Sequence, residues 1–299
     1  MILPFLTSPT LGALVRDGER RFKRAKLTYG HGTTNAFDEA AFMALEGLGF
    51  PVDSLHENWK RRITDDEKLQ ILALYDKRIA MRKPASYLLN KAYIQGAPFY
   101  VDERVIVPRS FIAEILYSPH SPAPRPIQVN RALDLCTGSG CLAILLAKLY
   151  PKAQIDATDL SPDALEVARR NVADYFLNNR VALHQGDLFA PLSRGTRYDL
   201  IVANPPYVDA EGMEDLPPEF MAEPEMALAA GADGLDIVQR IIDEAPDWLS
   251  ENGMLICEIG RCGPALQNAY PGKAFSWLET EHSSGEVFFI SRDELIGMG

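Results

Sequence analysis

Two kinds of hydrophobic pattern divide this chain. From Arg131 onward, short apolar runs typical of buried strands alternate with amphipathic stretches of helical length. Strands are predicted at 132–136, 154–158, 181–185, 200–203, 254–258, 274–278 and 287–291, with helices at 140–150, 162–176 and 234–249. This alternation predicts an α/β fold with right-handed crossovers and a mostly parallel sheet covered on both faces. The last two strands lie close together, so one antiparallel strand is expected at or near an edge.

The N-terminal part has a different, helical pattern. Helices are predicted at 11–26, 38–48 and 68–82, the last opened by a capping box that starts at Thr64. A period-two pattern then predicts short strands at 92–94 and 99–101 around a turn at 95–98, and a further extended run at 104–107. We therefore expect a small helical domain at 1–90, a β-hairpin linker at 91–108 and a large α/β domain at 109–299.

Composition and charge narrow the function classes. The 299 residues are 47% hydrophobic and 24% charged, as in ordinary globular proteins. Neither a signal peptide nor a membrane span of about 18 apolar residues is expected. The four cysteines contain no Cys-x-x-Cys pair, which predicts no metal site and reduced thiols in the cytoplasm. A net charge of −11 argues against binding naked DNA or RNA, and it is compatible with a basic protein partner.

The most informative segment follows the strand at 200–203. It reads Asn204-Pro205-Pro206-Tyr207, where two prolines end the strand and remove two backbone donors. The Asn204 side chain and the free carbonyls can accept hydrogen bonds, and Tyr207 adds a flat aromatic wall. Such acceptors suit a planar –NH2 group, as in a carboxamide or an adenine. The alternative is an ordinary surface turn after a strand.

A second set of residues resembles a nucleotide site at the carboxyl ends of the strands. The first strand runs into a Gly-rich turn, the second ends at Asp159, and the third is followed by Asp187-Leu188. Small turn residues admit a ligand, Asp159 suits ribose hydroxyls, and Asp187-Leu188 suits an adenine. Without Gly-x-Gly-x-x-Gly, a cofactor lacking pyrophosphate fits better, and S-adenosylmethionine is such a cofactor. Asp159 could instead cap the helix that begins beside Ser161.

Taken in this order, the motifs resemble the class I methyltransferases that use S-adenosylmethionine. The chain is most similar to the branch that methylates glutamine side-chain amides in proteins, and the likeness covers nearly its whole length. This resemblance implies a Rossmann-like, seven-stranded catalytic domain. It implies Asn204, Pro205 and Tyr207 as catalytic residues. It implies a cofactor site formed by Asp134, Cys136, Thr137, Gly138, Gly140, Asp159, Asp187, Leu188 and Asn204.

The family contains enzymes for two kinds of substrate, peptide release factors and protein L3 of the large ribosomal subunit. Three segments resemble the L3 branch: Tyr29–Thr33, Phe99–Val105 and the loop cysteine Cys136. The resemblance thus implies a basic ribosomal protein as partner, recognised by the helical domain, with no direct DNA binding. No role is assigned to His31 or Glu258.

Three alternatives remain at this point: methylation of a release factor, amino-methylation of adenine in nucleic acid, and a non-catalytic module for ribosome assembly. An adenine enzyme would need a basic surface or a target-reading domain, and the sequence contains neither in obvious form. A scaffold would not need the full set of Asp159, Asp187 and Asn204. Methylation of L3 is therefore the hypothesis carried forward.

Overall fold

The computed structural model describes residues 9–125, 128–280 and 283–297. The chain divides into two compact units. The first contains the residues up to Lys91 together with Pro217–Ala222, and the second contains Ala92–Leu216 and the residues from Glu223 onward. The hairpin region therefore belongs to the second unit, and a short segment from late in the chain belongs to the first.

Helices build the first unit, and side chains at their starts decide where they begin. The helix α2 starts two residues before its predicted position because the side chain of Asn35 accepts the N–H groups of Phe37 and Asp38. The capping box of Thr64 and Glu67 is confirmed at the start of α4. The helices are α1 (Leu11–Ala25), α2 (Ala36–Gly47), α3 (Leu55–Asn58), α4 (Asp65–Met81) and α5 (Ala85–Leu89).

A buried charge cluster joins these helices to the segment Pro217–Ala222 inside the first unit. Arg78 is fully buried and donates to Glu39 at 2.8 Å, and its guanidinium lies 3.6 Å from the buried carboxylate of Glu219. Beside this cluster, the buried ring of His31 packs against that of Phe220, with 4.2 Å between the centroids. Buried charges are tolerated when they are paired in this way. His31 therefore contributes to packing within this unit.

The second unit opens with a tight hairpin. Its strands are β1 (Ala92–Ile94) and β2 (Ala97–Phe99), and the turn is only Gln95-Gly96, both with positive φ. Such a two-residue turn matches the natural twist of paired strands, so β2 begins two residues earlier than predicted. The prediction of a strand at 104–107 was wrong, because those residues pair with no neighbouring strand in the described structure. The helix α6 (Phe111–Tyr117) follows, capped by Ser110.

A seven-stranded sheet forms the centre of the second unit, in the order β5-β4-β3-β6-β7-β9-β8. All neighbours are parallel except that β9 runs antiparallel to β7 and β8, so the expectation of one antiparallel strand near an edge is confirmed. The strands are β3 (Arg131–Leu135), β4 (Gln154–Asp159), β5 (Val181–Gln185), β6 (Tyr198–Ala203), β7 (Leu249–Glu258), β8 (Ser276–Glu279) and β9 (Ser284–Ser291).

Helices cover both faces of this sheet, which confirms the predicted layered α/β architecture. The last long helix is shorter than predicted, because Pro246 converts its end into a 3₁₀ turn at Ala245–Asp247. The helices are α7 (Cys141–Leu149), α8 (Pro162–Asp174), α9 (Ala210–Glu214), α10 (Asp236–Glu244), α11 (Gly263–Ala269) and α12 (Arg292–Ile296).

Two hydrophobic cores lie on the two sides of the sheet. Successive residues of one strand point to opposite faces, so Leu200 packs in the core with α7 and Ile201 packs in the core with α10. Strands buried on both faces hold the sheet rigid, and its carboxyl edge then carries loops that can differ without disturbing the cores. Among the described helices, none is both long and apolar enough to cross a membrane.

Candidate active site

The turn between β3 and α7 brings the backbone close to a cavity. Gly138 has a φ of +54°, and a Cβ built there would meet nothing within 4 Å, so this residue faces open space. Gly140 has a φ of +78° and packs α7 onto α8, since a Cβ would lie 3.1 Å from that of Ala168. Even Cys136 adopts a left-handed conformation, with a φ of +56°. The turn is therefore tight: Gly138 leaves space at the cavity, and Gly140 allows α7 to pack closely on α8.

Asp134 supports this turn from inside the sheet. Its carboxylate accepts hydrogen bonds from the hydroxyl of Thr137 at 2.5 Å and from the N–H of Ala143 at 3.0 Å. The other oxygen, Oδ1, is buried and has no hydrogen-bond partner in the part of the chain that the structure describes. Burial raises the pKa of Asp134 to about 7, against the hydrogen bonds that lower it. Asp134 and Thr137 hold the turn and do not line the cavity.

Asp159, at the end of β4, lines the cavity and is tied to the same turn. Its Oδ2 accepts the N–H of Gly138 at 2.8 Å and its Oδ1 accepts the N–H of Ser161 at 2.9 Å. Burial raises the pKa of this carboxyl above its ordinary value, while the backbone donors act in the opposite direction. Both oxygens are thereby oriented by backbone donors, and the carboxylate can still accept from a ligand.

The cavity has a volume of about 130 Å³ and is partly open to solvent. The structure brings six of the predicted site residues to its wall: Cys136, Gly138, Asp159, Asp187, Leu188 and Asn204. Asp187 is half exposed and forms an ion pair with Arg240 of α10 at 2.8 Å. Further apolar wall comes from Leu160, Met226, Ala227 and Ile237. A partly apolar pocket with a few fixed polar groups is typical of small-molecule sites.

Asn204 is a polar residue at this wall whose side-chain oxygen has no partner in the described structure. It follows the last residue of β6, and its Oδ1 is buried without a hydrogen-bond partner in the described structure. Buried amide oxygens are normally paired, because losing a hydrogen bond to water is costly. Pro206 also lines the cavity, whereas Pro205 is buried beside it. Asn204 thus offers an acceptor that suits a donor on a ligand.

Tyr207 lies just outside the cavity wall. Its hydroxyl donates to Glu258 at 3.1 Å, and its ring packs against Gly260, where a Cβ would come within 2.6 Å of a ring carbon. Burial raises the pKa of Tyr207 well above its ordinary value, and the nearby Glu258 carboxylate adds to that rise. Together with Asp134, Thr137, Gly140 and Pro205, Tyr207 is a predicted site residue that does not line the cavity.

The residues present fit S-adenosylmethionine. The cavity joins an oriented carboxylate at Asp159 to an apolar wall, as a nucleoside requires. Two buried oxygens at the wall, Oγ1 of Thr158 and Oδ1 of Asn204, have no hydrogen-bond partner among the residues described. The turn contains no third glycine for a pyrophosphate, so a cofactor without one is the better match.

Known proteins that are similar to this chain are methyltransferases. The family model for the methyltransferase small domain matches residues 120–233. The ribosomal protein uL3 glutamine methyltransferase of Bradyrhizobium diazoefficiens is 52% identical over 96% of this chain and 92% of its own length. Those of Burkholderia pseudomallei and Bordetella pertussis are 49% and 48% identical, covering 97% and 96% of this chain and 98% and 96% of their own lengths. The chain belongs to this family. It is therefore an S-adenosylmethionine-dependent methyltransferase with the class I fold.

Several residues that line the cavity were not predicted from the sequence. Thr158 directly precedes Asp159 on β4, so its position at a strand end was a signal that could have been used. Arg104 lines the cavity from the segment wrongly predicted as a strand, and it is fixed there by Asp102 at 2.7 Å. Met226 comes from a three-residue 3₁₀ helix, which is too short to show a hydrophobic period.

Proposed function

We propose that this chain transfers a methyl group from S-adenosylmethionine to the side-chain amide nitrogen of a glutamine in ribosomal protein uL3. Membership in the family of uL3 glutamine methyltransferases supports the substrate. The observation that carries the chemistry is the buried, unpaired Oδ1 of Asn204 at the cavity wall. A buried acceptor without a partner is what a carboxamide –NH2 needs as a partner.

An amide nitrogen is a poor nucleophile, because its lone pair is shared with the carbonyl group. S-adenosylmethionine, when bound, supplies a methyl group made electrophilic by a sulfonium. The protein's task is then to hold the substrate amide and to stabilise positive charge as it develops on nitrogen. As the new N–C bond forms, the sulfur–methyl bond breaks with its electrons left on sulfur, and the nitrogen releases one proton to solvent. We assign Oδ1 of Asn204 and the carbonyl oxygen of Pro205 as acceptors for the two amide hydrogens. Tyr207 does not line the cavity, but it is partly exposed and directly follows Pro206 of the wall, and we assign it the aromatic surface beside the amide plane.

For the cofactor, we assign each group to the part of the molecule that its chemistry suits. The Asp159 carboxylate would accept from the ribose hydroxyls, and Asp187 with Leu188 would hold the adenine. Asp187 shares its charge with Arg240, so one of its oxygens remains available for the adenine amine. The turn Cys136–Gly140, braced by Asp134, would face the amino-acid end.

The partner follows from the same proposal. A net charge of −11 on the chain favours encounter with a basic protein and opposes binding of nucleic acid. We assign substrate recognition to the helical residues 1–90, a hairpin linker to 91–108 and catalysis to 109–299. The four cysteines are free thiols, which is consistent with a cytoplasmic enzyme.

The test is transfer of labelled methyl groups to purified uL3. Wild type should label one glutamine of uL3, located by peptide mass spectrometry, and Asn204→Ala should lose most of this activity while retaining its fold. A release factor and a DNA duplex are offered as alternative methyl acceptors in separate, parallel reactions. Labelling of either in preference to uL3 would overturn the substrate assignment, and unchanged turnover by Asn204→Ala would overturn the acceptor assignment.

A further inference from the structure

Tyr207 is held at three points. Its hydroxyl donates to Oε1 of Glu258 at 3.1 Å, and its backbone carbonyl accepts from the thiol of Cys262 at 3.3 Å. Its ring lies so close to Gly260 that a Cβ there would come within 2.6 Å of the ring. Gly260 has a φ of +51°, a conformation that suits glycine, so the close approach is built into the backbone. The plane of the ring is therefore fixed.

Glu258 is in turn held by groups other than Tyr207. It is the last residue of β7 and is 2% exposed. Its Oε2 accepts from the hydroxyl of Ser110 at 2.7 Å and from the N–H of Phe111, the first residue of α6, at 2.9 Å. Burying a carboxylate this deeply is costly unless hydrogen bonds compensate, and here both oxygens are hydrogen-bonded. Oε2 is anchored to the protein frame, and Oε1 is turned to the Tyr207 hydroxyl.

The register of the sheet places this anchor beside the acceptor. Ala203 of β6 is paired with Cys257 of β7, and the two strands are parallel. The next residues along the two strands are Asn204 and Glu258, so both leave the sheet at the same level of its carboxyl edge. One pair of neighbouring strands thus determines the positions of both Glu258, which holds the ring, and Asn204, which we assign as the acceptor.

We propose that Glu258 is a positioning residue for methyl transfer: it fixes the Tyr207 hydroxyl and so the aromatic surface against which the substrate amide packs. Glu258 acts through Tyr207 and has no contact with the substrate itself. The inference rests on the proposed function, because the amide is the group that Tyr207 orients. It also gives a reason for tyrosine at this position, since phenylalanine would offer the same surface without the tether.

A double-mutant cycle tests this tether. Glu258→Ala and Tyr207→Phe should each lower kcat for uL3 methylation by about a hundred-fold, as expected for a misplaced substrate. The KM for S-adenosylmethionine should stay near the wild-type value. The double variant should also lose only about a hundred-fold, because both changes remove one and the same hydrogen bond. Glu258→Gln should recover most of the activity, since its amide can still pair with the tyrosine hydroxyl.

A matched control is available in the same unit. Glu294 also accepts from a serine hydroxyl and a backbone N–H, both of Ser291, at the start of α12. Glu294→Ala should leave kcat unchanged. Losses that multiply in the double variant, or a Glu258→Gln variant as inactive as Glu258→Ala, would overturn the positioning role. If Glu258→Ala does not fold, Tyr207→Phe decides alone, and a wild-type kcat in that variant overturns the proposal.

A readout without substrate separates this inference from the proposed function. In NMR spectra, the Tyr207 hydroxyl proton is assigned by its absence in Tyr207→Phe. Wild type should show this proton protected from exchange with water, and Glu258→Gln should show it as well, whereas Glu258→Ala should lose it. A wild type in which the proton exchanges freely would overturn the tether. A wild type with a protected hydroxyl proton that labels no glutamine of uL3 would overturn the proposed function and leave the tether standing.

Discussion

The polar residues at the two ends of strand β6 differ in whether their oxygens are hydrogen-bonded within the protein. Near its start, Asp199 accepts hydrogen bonds from the N–H groups of Asn130 and Arg131 and from the hydroxyl of Ser250, at 2.8, 3.2 and 2.9 Å. Just beyond its end, Asn204 keeps a buried oxygen with no partner in the described chain. The acceptor near the start of the strand is thus paired within the protein, whereas the one beyond its end is unpaired and belongs to a residue that lines the cavity.

Neighbouring strands repeat the contrast with carboxylates. Asp156, in the first half of β4, accepts from Arg131, His184 and Tyr198, and Asp134 near the end of β3 has one oxygen without a partner among the described residues. Burial raises the pKa of both groups, but the three side-chain donors bring that of Asp156 below its ordinary value. The pKa of Asp134 is raised to about 7. Polar groups in the first half of the strands are thus paired within the protein, and we propose that the unpaired groups toward the carboxyl edge serve the site.

The largest effect is expected at Asn204. Asn204→Ala should raise the barrier for methyl transfer by about 2.7–4 kcal/mol, a hundred- to a thousand-fold loss in kcat, as for removal of one preorganised partner. The free energy of unfolding should hardly change, because the acceptor makes no hydrogen bond within the protein. Single-turnover rates and urea unfolding measure the two quantities. Asp199→Ala is the matched control, and it should show the reverse: lower stability with wild-type kcat.

The next effect is a pH dependence of stability caused by Asp134. Unfolded aspartate has a pKa of about 3.9, so between about pH 4 and pH 7 the unfolded state releases a proton that the folded state retains. The contribution of Asp134 to stability should therefore fall as pH rises, by up to about 1.4 kcal/mol per unit, and level off above about pH 7. Asp156 has a lowered pKa, so its contribution is lost only as pH falls below about 4.

Asp134→Asn isolates this effect, since asparagine does not titrate. The free energy of unfolding of wild type relative to the variant should decrease from about pH 5 to about pH 7, in urea titrations at constant ionic strength. A flat difference across that range would show that Asp134 is ionised throughout. It would then resemble Asp156 in its behaviour, and the contrast between the two halves of the sheet would fail.

A smaller loss is expected from Asp156→Ala. This change leaves the buried hydroxyl of Tyr198 and the guanidinium of Arg131 without their acceptor, and it should cost about 2 kcal/mol of stability. The kcat of the folded variant should remain that of wild type. Asp174→Ala, at an exposed carboxylate 3.9 Å from Arg170, is the control and should change stability by less than about 0.5 kcal/mol. A clear fall in kcat for Asp156→Ala would contradict the division of roles.

Much of this arrangement was predictable from the sequence, because the core strands are continuous apolar runs. Pro205 and Pro206 mark the end of β6, and Asp159 marks the end of β4. The carboxyl edge of the sheet and its candidate binding residues could therefore be located. Local rules also gave the capping box at Thr64. These features depend on residues close together in sequence.

What could not be predicted depends on residues distant in sequence. Arg104 reaches the cavity from a turn and Met226 from a three-residue 3₁₀ helix, and both are too short to show a hydrophobic period. Glu258 meets Ser110 across 148 positions, so only the folded sheet shows what holds it. The placement of Glu219 in the first unit likewise requires the fold. The hairpin was misjudged for another reason: Gln95 adopts a positive φ, which the sequence did not indicate.

The smallest effect is expected at the exposed pair of Arg240 and Asp187. Both side chains are nearly half exposed, at 44% and 48%, so solvent and salt screen their attraction. Arg240→Gln should change the free energy of unfolding by less than about 1 kcal/mol. It should weaken binding of S-adenosylmethionine by less than about five-fold, and calorimetry at high salt should show a still smaller difference. Arg261→Gln, which removes another exposed pair, with Asp209, is the control for stability. If Arg240→Gln destabilises the protein as much as Asp156→Ala, then the carboxyl edge also contributes to folding, and the distinction between the two ends of the strands is one of degree.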